Sequence, residues 1–140
     1  MTTPFSGASR PTQAYDLERR KRALGQVSDA SAAGGVVLYT CPVQRIAIGR
    51  VYVCNRSTAA TIRIRIKTDT DGDGTIDADA DAQVLVYDYP IPANEYDYTE
   101  ELWLSASDTL GGASDLIEVK ASTANVSFTF NGYTIPKDTT

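Results

Sequence analysis

Carboxylates recur at alternate positions in one segment of the chain, between two stretches with the alternation of β-strands. Six aspartates carry them: Asp69, Asp71, Asp73, Asp77, Asp79 and Asp81. The segment starts as D-x-D-x-D-G-x-I-D, the front part of an EF-hand-type calcium loop, where alternate residues direct oxygens into one concavity. Gly74 would permit the sharp turn, and the carbonyl of Thr75 would add a ligand. The spacing predicts a calcium ion that rigidifies this loop.

Two features depart from a complete calcium loop. The twelfth position, which usually holds a bidentate Glu, is Ala80, and the flanking stretches have the period of strands rather than helices. The alternative interpretation is a solvated hairpin tip, because Asp and Gly favour turns without any ion. The sequence leaves both interpretations open.

Other familiar site chemistry is missing from the composition. The 140 residues include no histidine, which removes Ser-His and Cys-His pairs and imidazole metal ligands. Cys41 and Cys54 are too few for a four-thiolate zinc site, and we expect two buried thiols, with a disulfide as the alternative. No apolar run approaches the roughly 18–20 residues of a membrane span, and no secretion signal is recognisable. The sequence predicts a non-enzymatic protein without membrane contact.

The basic residues are concentrated near the N-terminus. Residues 1–25 carry a net charge of +3 and the remaining 115 a net charge of −8. The basic cluster comprises Arg10, Arg19, Arg20, Lys21 and Arg22. We expect it to bind an acidic surface of a neighbouring subunit, with Tyr15 and Leu17 adding apolar contact, and the alternative is a solvated, mobile tail. Nucleic acid is an alternative partner for a basic arm, but the acidic body makes DNA unattractive.

The elements that must position these residues divide the chain into two parts. Residues 1–35 predict an extended arm with one short helix over 13–24, which Thr12 and Gly25 would cap. From Val36 the apolar period is two, which predicts a β-domain over residues 36–140. We expect seven or eight strands, at 36–40, 44–55, 61–67, 83–89, 97–104, 115–121, 125–130 and 133–135. The fold class is an antiparallel, jelly-roll-like β-sandwich.

Parity within the strands predicts which side chains face the core. Ile62, Ile64 and Ile66 should point inward, and so should Val126, Phe128 and Phe130. Ile46 and Ile48 have the opposite parity to Val51 and Val53, so a bulge or bend near Gly49-Arg50 would bring both pairs to one side. Asn131-Gly132 predicts a turn before the last strand.

Aromatic residues cluster in the second half of the sequence. Tyr87, Tyr89, Tyr96, Tyr98 and Trp103 stand on or beside predicted strands. We expect Tyr96, Tyr98 and Trp103 to form part of a subunit interface, because Tyr and Trp are favoured there. The alternatives are packing within the fold and a carbohydrate-binding face.

Several segments of the β-domain resemble small β-sandwich virion proteins of tailed bacteriophages. They are Val37-Leu-Tyr-Thr-Cys-Pro42, Val51-Tyr-Val-Cys-Asn-Arg56, Tyr87-Asp-Tyr-Pro-Ile91 with Ala93-Asn94, and the stretch from Ile117 to Phe128 with Gly132. These are scaffold motifs that include no catalytic residue. The Asp-rich segment and the long basic arm depart from the family pattern.

The resemblance implies a structural role in the virion. The leading expectation is a decoration or cement protein that binds and stabilises the capsid exterior through its N-terminal arm, as a homo-oligomer, in particular a trimer. Its partners would be the major capsid protein or neck and tail proteins, and it would be made in the host cytoplasm. The alternatives are a neck, collar or tail accessory protein and a calcium-dependent carbohydrate-binding module for host attachment.

Overall fold

The computed structural model describes residues 22–69, 82–109 and 112–137, whose regular elements are nine β-strands. In chain order they are β1 (Arg22–Val27), β2 (Val36–Thr40), β3 (Arg45–Asn55), β4 (Ala60–Asp69), β5 (Ala82–Ile91), β6 (Tyr96–Tyr98), β7 (Leu102–Ser105), β8 (Ser114–Ala121) and β9 (Val126–Pro136). In these ranges there is no helix with the length and apolar character needed to cross a membrane.

The strands form two antiparallel sheets. Sheet A has the order β1-β9-β3-β6, and β7 pairs with the first half of β3 on the same side as β6. Sheet B has the order β2-β8-β4-β5. If β6 and β7 are counted as one interrupted strand, both sheets mix strands from the two halves of the chain, as a jelly roll does. The predicted jelly-roll-like sandwich is therefore confirmed. The prediction of one continuous strand over 97–104 is wrong, because the pairing with β3 breaks between Tyr98 and Leu102 and leaves two short strands.

The core lies between the two sheets and follows the predicted alternation. Phe128 and Phe130 of β9 are fully buried, and they face Ile62 and Ile64 of β4 across the sandwich. Arg63 and Arg65, at the intervening positions of β4, lie on the outer face and are only half-buried. Burial of aliphatic and aromatic side chains at alternate positions supplies most of the driving force for such a sandwich.

The longest pairing, between β3 and β9, corrects two predictions. The register runs from Arg45↔Pro136 to Asn55↔Val126 without a shift, so there is no bulge at Gly49-Arg50 and no turn at Asn131-Gly132. Gly49 and Gly132 are partners in this register, and a Cβ at either position would collide with backbone of the opposite strand. The glycines therefore permit the backbones of two continuous, paired strands to lie unusually close together, rather than forming a bend or a hairpin.

The predicted helix over 13–24 is wrong where the structure describes it. Arg22, Ala23 and Leu24 are extended in β1, which pairs with β9, and Gly25 lies within the strand rather than capping a helix. Local propensity favoured a helix there, but β9 offers an open hydrogen-bonding edge that an extended segment completes. Residues 13–21 of the predicted helix lie outside the described residues.

One buried asparagine in the resembling segments holds three chain segments together. The side-chain amide of Asn55, at the end of β3, donates to the carbonyls of Thr58 and Ile91 at 2.7 and 3.0 Å. Its side-chain oxygen accepts the backbone N–H of Ser57 at 3.0 Å. The side chain is completely buried, so its loss would leave buried carbonyls without partners. Its role is structural.

The two edges of the sandwich differ. At the edge formed by β1 and β2, Gly25 lies so close to Leu38 that a Cβ would collide with the Leu38 carbonyl oxygen. The segment after β1 is also attached to sheet B, because Ala121 N–H donates to Ala30 O at 2.9 Å. We call this side the closed edge. At the other side, where β5 and β6 end the two sheets, the described residues join the sheets through side-chain hydrogen bonds rather than a close backbone contact, and we call it the open edge.

Candidate functional site

Four exposed aromatic residues stand on the outer face of sheet A, beside the open edge. Tyr96 is 75% exposed and Trp103 is 63% exposed, with Tyr98 and Tyr52 beside them. We call these four residues the aromatic surface. Monomeric proteins rarely leave large apolar side chains grouped in this way unless the group binds something.

Strand β3 provides the base of the aromatic surface. Tyr52 is the register partner of Tyr98, and their rings are 5.5 Å apart at an angle of 33°. The guanidinium of Arg50 lies 5.5 Å from the centre of the Tyr98 ring, a cation–π distance. On the neighbouring part of β3, Ile48 is the register partner of Trp103 and is only 3% exposed. Tyr98 and Trp103 thus rest on side chains of the outer face of β3.

A cleft of about 250 Å³ lies at the open edge, where the two sheets separate. For comparison, an engineered apolar cavity of about 150 Å³ holds a benzene molecule. Its base consists of aliphatic residues from both sheets, and polar or aromatic residues of β5, β6 and the segment after β6 form its mouth. The lining residues are Val51, Val53, Ile62, Ile64 and Val86 at the base, and Tyr89, Asp97, Tyr98 and Thr99 at the mouth.

Hydrogen bonds fix the mouth of this cleft. The Tyr89 hydroxyl bonds to the Asp97 carboxylate, and this bond raises the pKa of the phenol. The same carboxylate accepts the backbone N–H of Tyr98 at 2.8 Å. Thr99 is tied to β3, since its hydroxyl accepts the Val51 N–H at 3.1 Å and its own N–H donates to Val51 O at 3.0 Å. The mouth is therefore formed before any partner arrives.

A bulge in β5 carries a second polar feature of the open edge. Tyr87 and Asp88 lie between the register pairs Ile62↔Tyr89 and Ile64↔Val86, and Asp88 has a positive φ of 48°. The Arg63 guanidinium donates to the two Asp88 carboxylate oxygens at 2.7 and 3.2 Å and lies 4.3 Å from the centre of the Tyr87 ring. The hydrogen bond from Arg63 lowers the pKa of Asp88.

The structure separates the predicted partner-binding residues into two groups. Tyr96, Tyr98 and Trp103 lie on one exposed face, but Arg22 starts β1 at the closed edge. Two strands separate β1 from β6, so these groups are roughly 14 Å apart at the usual strand spacing. The other predicted partner-binding residues lie outside the described residues: Arg10, Tyr15, Leu17, Arg19, Arg20 and Lys21.

The predicted calcium loop is described only at its first residue. Asp69 ends β4 and is 1% exposed, whereas the other proposed ligands, Asp71, Asp73, Thr75, Asp77, Asp79 and Asp81, lie outside the described residues. Within residues 22–69, 82–109 and 112–137 no group of three His, Cys, Asp or Glu could hold a metal ion. The calcium loop stays a prediction.

The two cysteines are free thiols in different environments. Cys41 is buried, as expected, and its thiol donates towards the carbonyls of Arg45 and Leu104 at 3.3 and 3.6 Å. Burial raises the pKa of Cys41 to about 11. Cys54 is exposed on the outer face of β3, so the expectation that both thiols are buried was wrong for Cys54. The parity of β3 explains this, because position 54 shares a face with Arg50 and Tyr52.

Some components of the site were missed by the sequence analysis. Tyr52 and Arg50 support Tyr98, and Arg63 holds the bulge, but none was assigned a place in the site. The alternation Arg50-x-Tyr52-x-Cys54 indicates one outward face of β3, and it would have identified the first two if no bulge had been expected. The pairing of Arg63 with Asp88 depends on a bulge that no simple pattern indicates.

No protein-family model matches this chain, and no curated protein matches it either. Among solved structures, the chain is similar to the structure of the infectious bursal disease virus Gx strain, with 19% identity and a TM-score of 0.47, over 84% of this chain and 31% of that one. For the infectious bursal disease virus VP2 subviral particle the identity is 16% and the TM-score 0.45, over 82% of this chain and 31% of that one.

A third similar structure comes from a bacterium. It contains the CBM22-1 and GH10 modules of the Clostridium thermocellum endo-1,4-beta-D-xylanase 10B complexed with xylohexaose, at 15% identity and a TM-score of 0.40, over 88% of this chain and 25% of that one. The chain therefore spans a third or less of the length of these proteins. Similarities with TM-scores below 0.5 carry no argument about function.

Proposed function

We propose that this protein is a non-enzymatic structural component of a tailed-bacteriophage virion, a decoration protein that binds the capsid exterior. The observation that carries the proposal is the aromatic surface, with Tyr96 and Trp103 more than half exposed on a rigid sheet. Tyr and Trp are enriched where protein interfaces gain most of their energy. The resembling scaffold segments support the virion as the place where such an interface is used.

The proposal assigns distinct roles to the two parts of the chain. The sandwich presents Tyr96 and Trp103 to the capsid surface. The basic N-terminal arm, residues 1–21, binds acidic patches of neighbouring subunits. The protein acts as a homo-oligomer, in particular a trimer, because repeated copies around a symmetry axis multiply weak contacts. The major capsid protein is the proposed partner.

The test measures how completely the protein occupies particles that lack it. Wild-type chain and the double variant Tyr96→Ser/Trp103→Ser are added to undecorated particles, and bound copies are counted by electron microscopy. We expect at least a tenfold weaker affinity for the variant. Val84→Ser is the matched control, because Val84 is 51% exposed on β5 of sheet B, outside the aromatic surface of sheet A, and this variant should bind like the wild type.

Two results would overturn the proposal. One is undiminished occupancy by the double variant with an unchanged melting temperature, and the other is no binding of the wild-type chain to the particle exterior. The location of bound copies separates the alternatives, since density at the neck or tail would replace the decoration role. Chelator-sensitive binding of the wild type to a glycan array, without particle binding, would favour the calcium-dependent carbohydrate-binding module.

A further inference from the structure

The cleft at the open edge lies directly over part of the core, whose residues there are at most 2% exposed. Val51, Val53, Ile62 and Ile64 belong to the buried core and also form the base of this cleft. Protein interiors are packed without voids of this size, because each missing contact forfeits dispersion energy. The cleft therefore has the shape and apolar base of a receptor for a large apolar side chain.

The surroundings of the cleft are strongly acidic. Residues 82–101 contain five carboxylates and neither Lys nor Arg: Asp88, Glu95, Asp97, Glu100 and Glu101. Glu95, Glu100 and Glu101 are exposed. Three cations of other strands face this region: Arg63 is paired with Asp88, the charge of Lys120 also acts on Asp88, and Arg50 lies over Tyr98. An occupant with an apolar anchor and several basic residues would match this charge.

One segment of the chain itself has that composition. Residues 1–21 carry four basic residues against two acidic ones, and their large apolar residues include Phe5, Tyr15 and Leu17. Fully extended, a segment of this length reaches up to about 70 Å, several times the width of one sheet. Length and charge both allow this segment to occupy an open edge.

We propose that the open-edge cleft is the receptor for residues 1–21 of a second copy of this chain. Tyr15 or Leu17 enters the cleft over its apolar base, between Tyr89 and Tyr98. Arg19, Arg20 and Lys21 face the carboxylates around the mouth. This inference rests on the proposed function, in which copies lie side by side.

The position of β1 favours a neighbouring copy over the same one. Arg22 begins β1 at the closed edge, so the direct path to the cleft of its own copy crosses the outer face of sheet A. That path would cover Tyr52 and Tyr98, which are 37% and 52% exposed. An arm from an adjacent copy does not have to cross that face. Repeated around a symmetry axis, this exchange yields a closed ring.

A charge exchange between two full-length variants tests the proposal. The arm variant carries Arg19→Glu, Arg20→Glu and Lys21→Glu, and the edge variant carries Glu95→Lys, Glu100→Lys and Glu101→Lys. Sedimentation velocity should show an oligomer for the wild type and at least tenfold weaker association for each variant alone. A 1:1 mixture should restore association between unlike variants, because the acidic arm then meets the basic edge and the basic arm meets the acidic edge. A ring of three copies would keep one contact between like variants, so the mixture should form heterodimers rather than the full wild-type trimer.

Matched variants test the apolar anchor and the specificity of the charges. Tyr15→Ser/Leu17→Ser should weaken association at least tenfold, whereas Ala14→Ser should not. Asp108→Lys, an exposed acid in the loop after β7, should leave association unchanged. Circular dichroism melts of every variant verify that the sandwich is folded.

Three results would overturn this inference: a monomeric wild type, unchanged association of either charge variant, or a mixture that stays monomeric. None of these results depends on the particle-binding measurement. If the wild type decorates particles through Trp103 but the charge variants associate normally, the receptor assignment fails and the proposed function stands. If the charge exchange succeeds but no particle is bound, the proposed function fails and the exchange remains an assembly mechanism of another kind.

Discussion

The closed and open edges of the sandwich end the same two sheets by different means. At the closed edge, Gly25 brings the backbones of β1 and β2 into contact, and the Tyr39 ring packs 5.2 Å from Phe130. At the open edge, β5 is bulged, β6 has only three residues, and aliphatic core residues line a cleft. The closed edge is packed within the chain itself, whereas the open edge carries a cleft that a partner can enter. We therefore expect substitutions at the closed edge to change stability and substitutions at the open edge to change binding.

The largest effect should come from alkaline pH acting on two half-buried or buried acids: Tyr39 in β2 at the closed edge, and Cys41 just after β2. Burial raises the pKa of Cys41 from 9.0 to about 11 and that of Tyr39 from 10.0 to about 12. As pH rises past the unfolded-state values, the unfolded chain loses protons that the folded chain retains, so the free energy of unfolding falls. Between pH 9 and 11 we expect Cys41 alone to account for a loss of about 2–3 kcal/mol. Urea unfolding at a series of pH values measures it.

Two cysteine variants isolate this effect. Cys41→Ala should remove most of the decline between pH 9 and 11, relative to its own stability at pH 7, and leave a later decline from Tyr39. Cys54→Ala is the matched control, because this thiol is exposed on the outer face, and it should keep the wild-type profile. A Cys41→Ala profile that parallels the wild type would refute the assignment.

The second effect should come from adding one methyl group to the closed edge. Gly25→Ala places a Cβ against the Leu38 carbonyl oxygen, so the backbone of β1 or of β2 must shift. Overpacking of this kind typically costs about 1–3 kcal/mol, so we expect a loss of that size in the free energy of unfolding. Chemical denaturation of the full chain measures it.

Gly34→Ala is the control for the added methyl group. A Cβ at position 34 has no neighbouring heavy atom within 4 Å, so stability should stay within about 0.5 kcal/mol of the wild type. Equal losses at the two positions would mean that the contact between β1 and β2 does not distinguish the closed edge.

The sequence was most informative where one face of a strand is buried. Alternation in β4 and the first half of β9 identified Ile62, Ile64, Phe128 and Phe130 as core residues, because the pleat allows only one face to enter the sandwich. It failed for Gly132, where a turn-forming pair lies inside a continuous strand. The close approach of Gly132 to Gly49 is a contact between residues far apart in sequence, so local turn preference could not predict it.

The candidate site was only partly predictable for the same reason. Aromatic composition indicated Tyr96, Tyr98 and Trp103, and these residues share the exposed outer face of sheet A. The cleft requires knowledge that β5 and β6 end adjacent sheets, which follows from topology rather than from any local pattern. Arg22 was grouped with a helix because the pairing of β1 with β9 spans almost the whole chain.

The smallest effect should separate two tyrosines of the same short strand. Tyr98 contacts Tyr52 and Arg50, so Tyr98→Ala should lower the free energy of unfolding by about 0.5–1.5 kcal/mol. Tyr96 is 75% exposed, and Tyr96→Ala should change it by less than about 0.5 kcal/mol. Both substitutions remove the same side chain from β6, so the difference reports the contacts with β3. Chemical denaturation of the two variants in parallel measures that difference.

Equal losses for the two variants would contradict this division of the aromatic surface. If Tyr96→Ala were as destabilising as Tyr98→Ala, the Tyr96 ring would already be in contact with its own fold. Less of its surface would then be available to contact a partner. If the losses differ as expected, Tyr98 belongs to the packed part of the sheet, whereas Tyr96 and Trp103 remain available for binding. The division between packed and partner-binding parts of the molecule would then hold for individual side chains, with Tyr98 on one side of it and Tyr96 and Trp103 on the other.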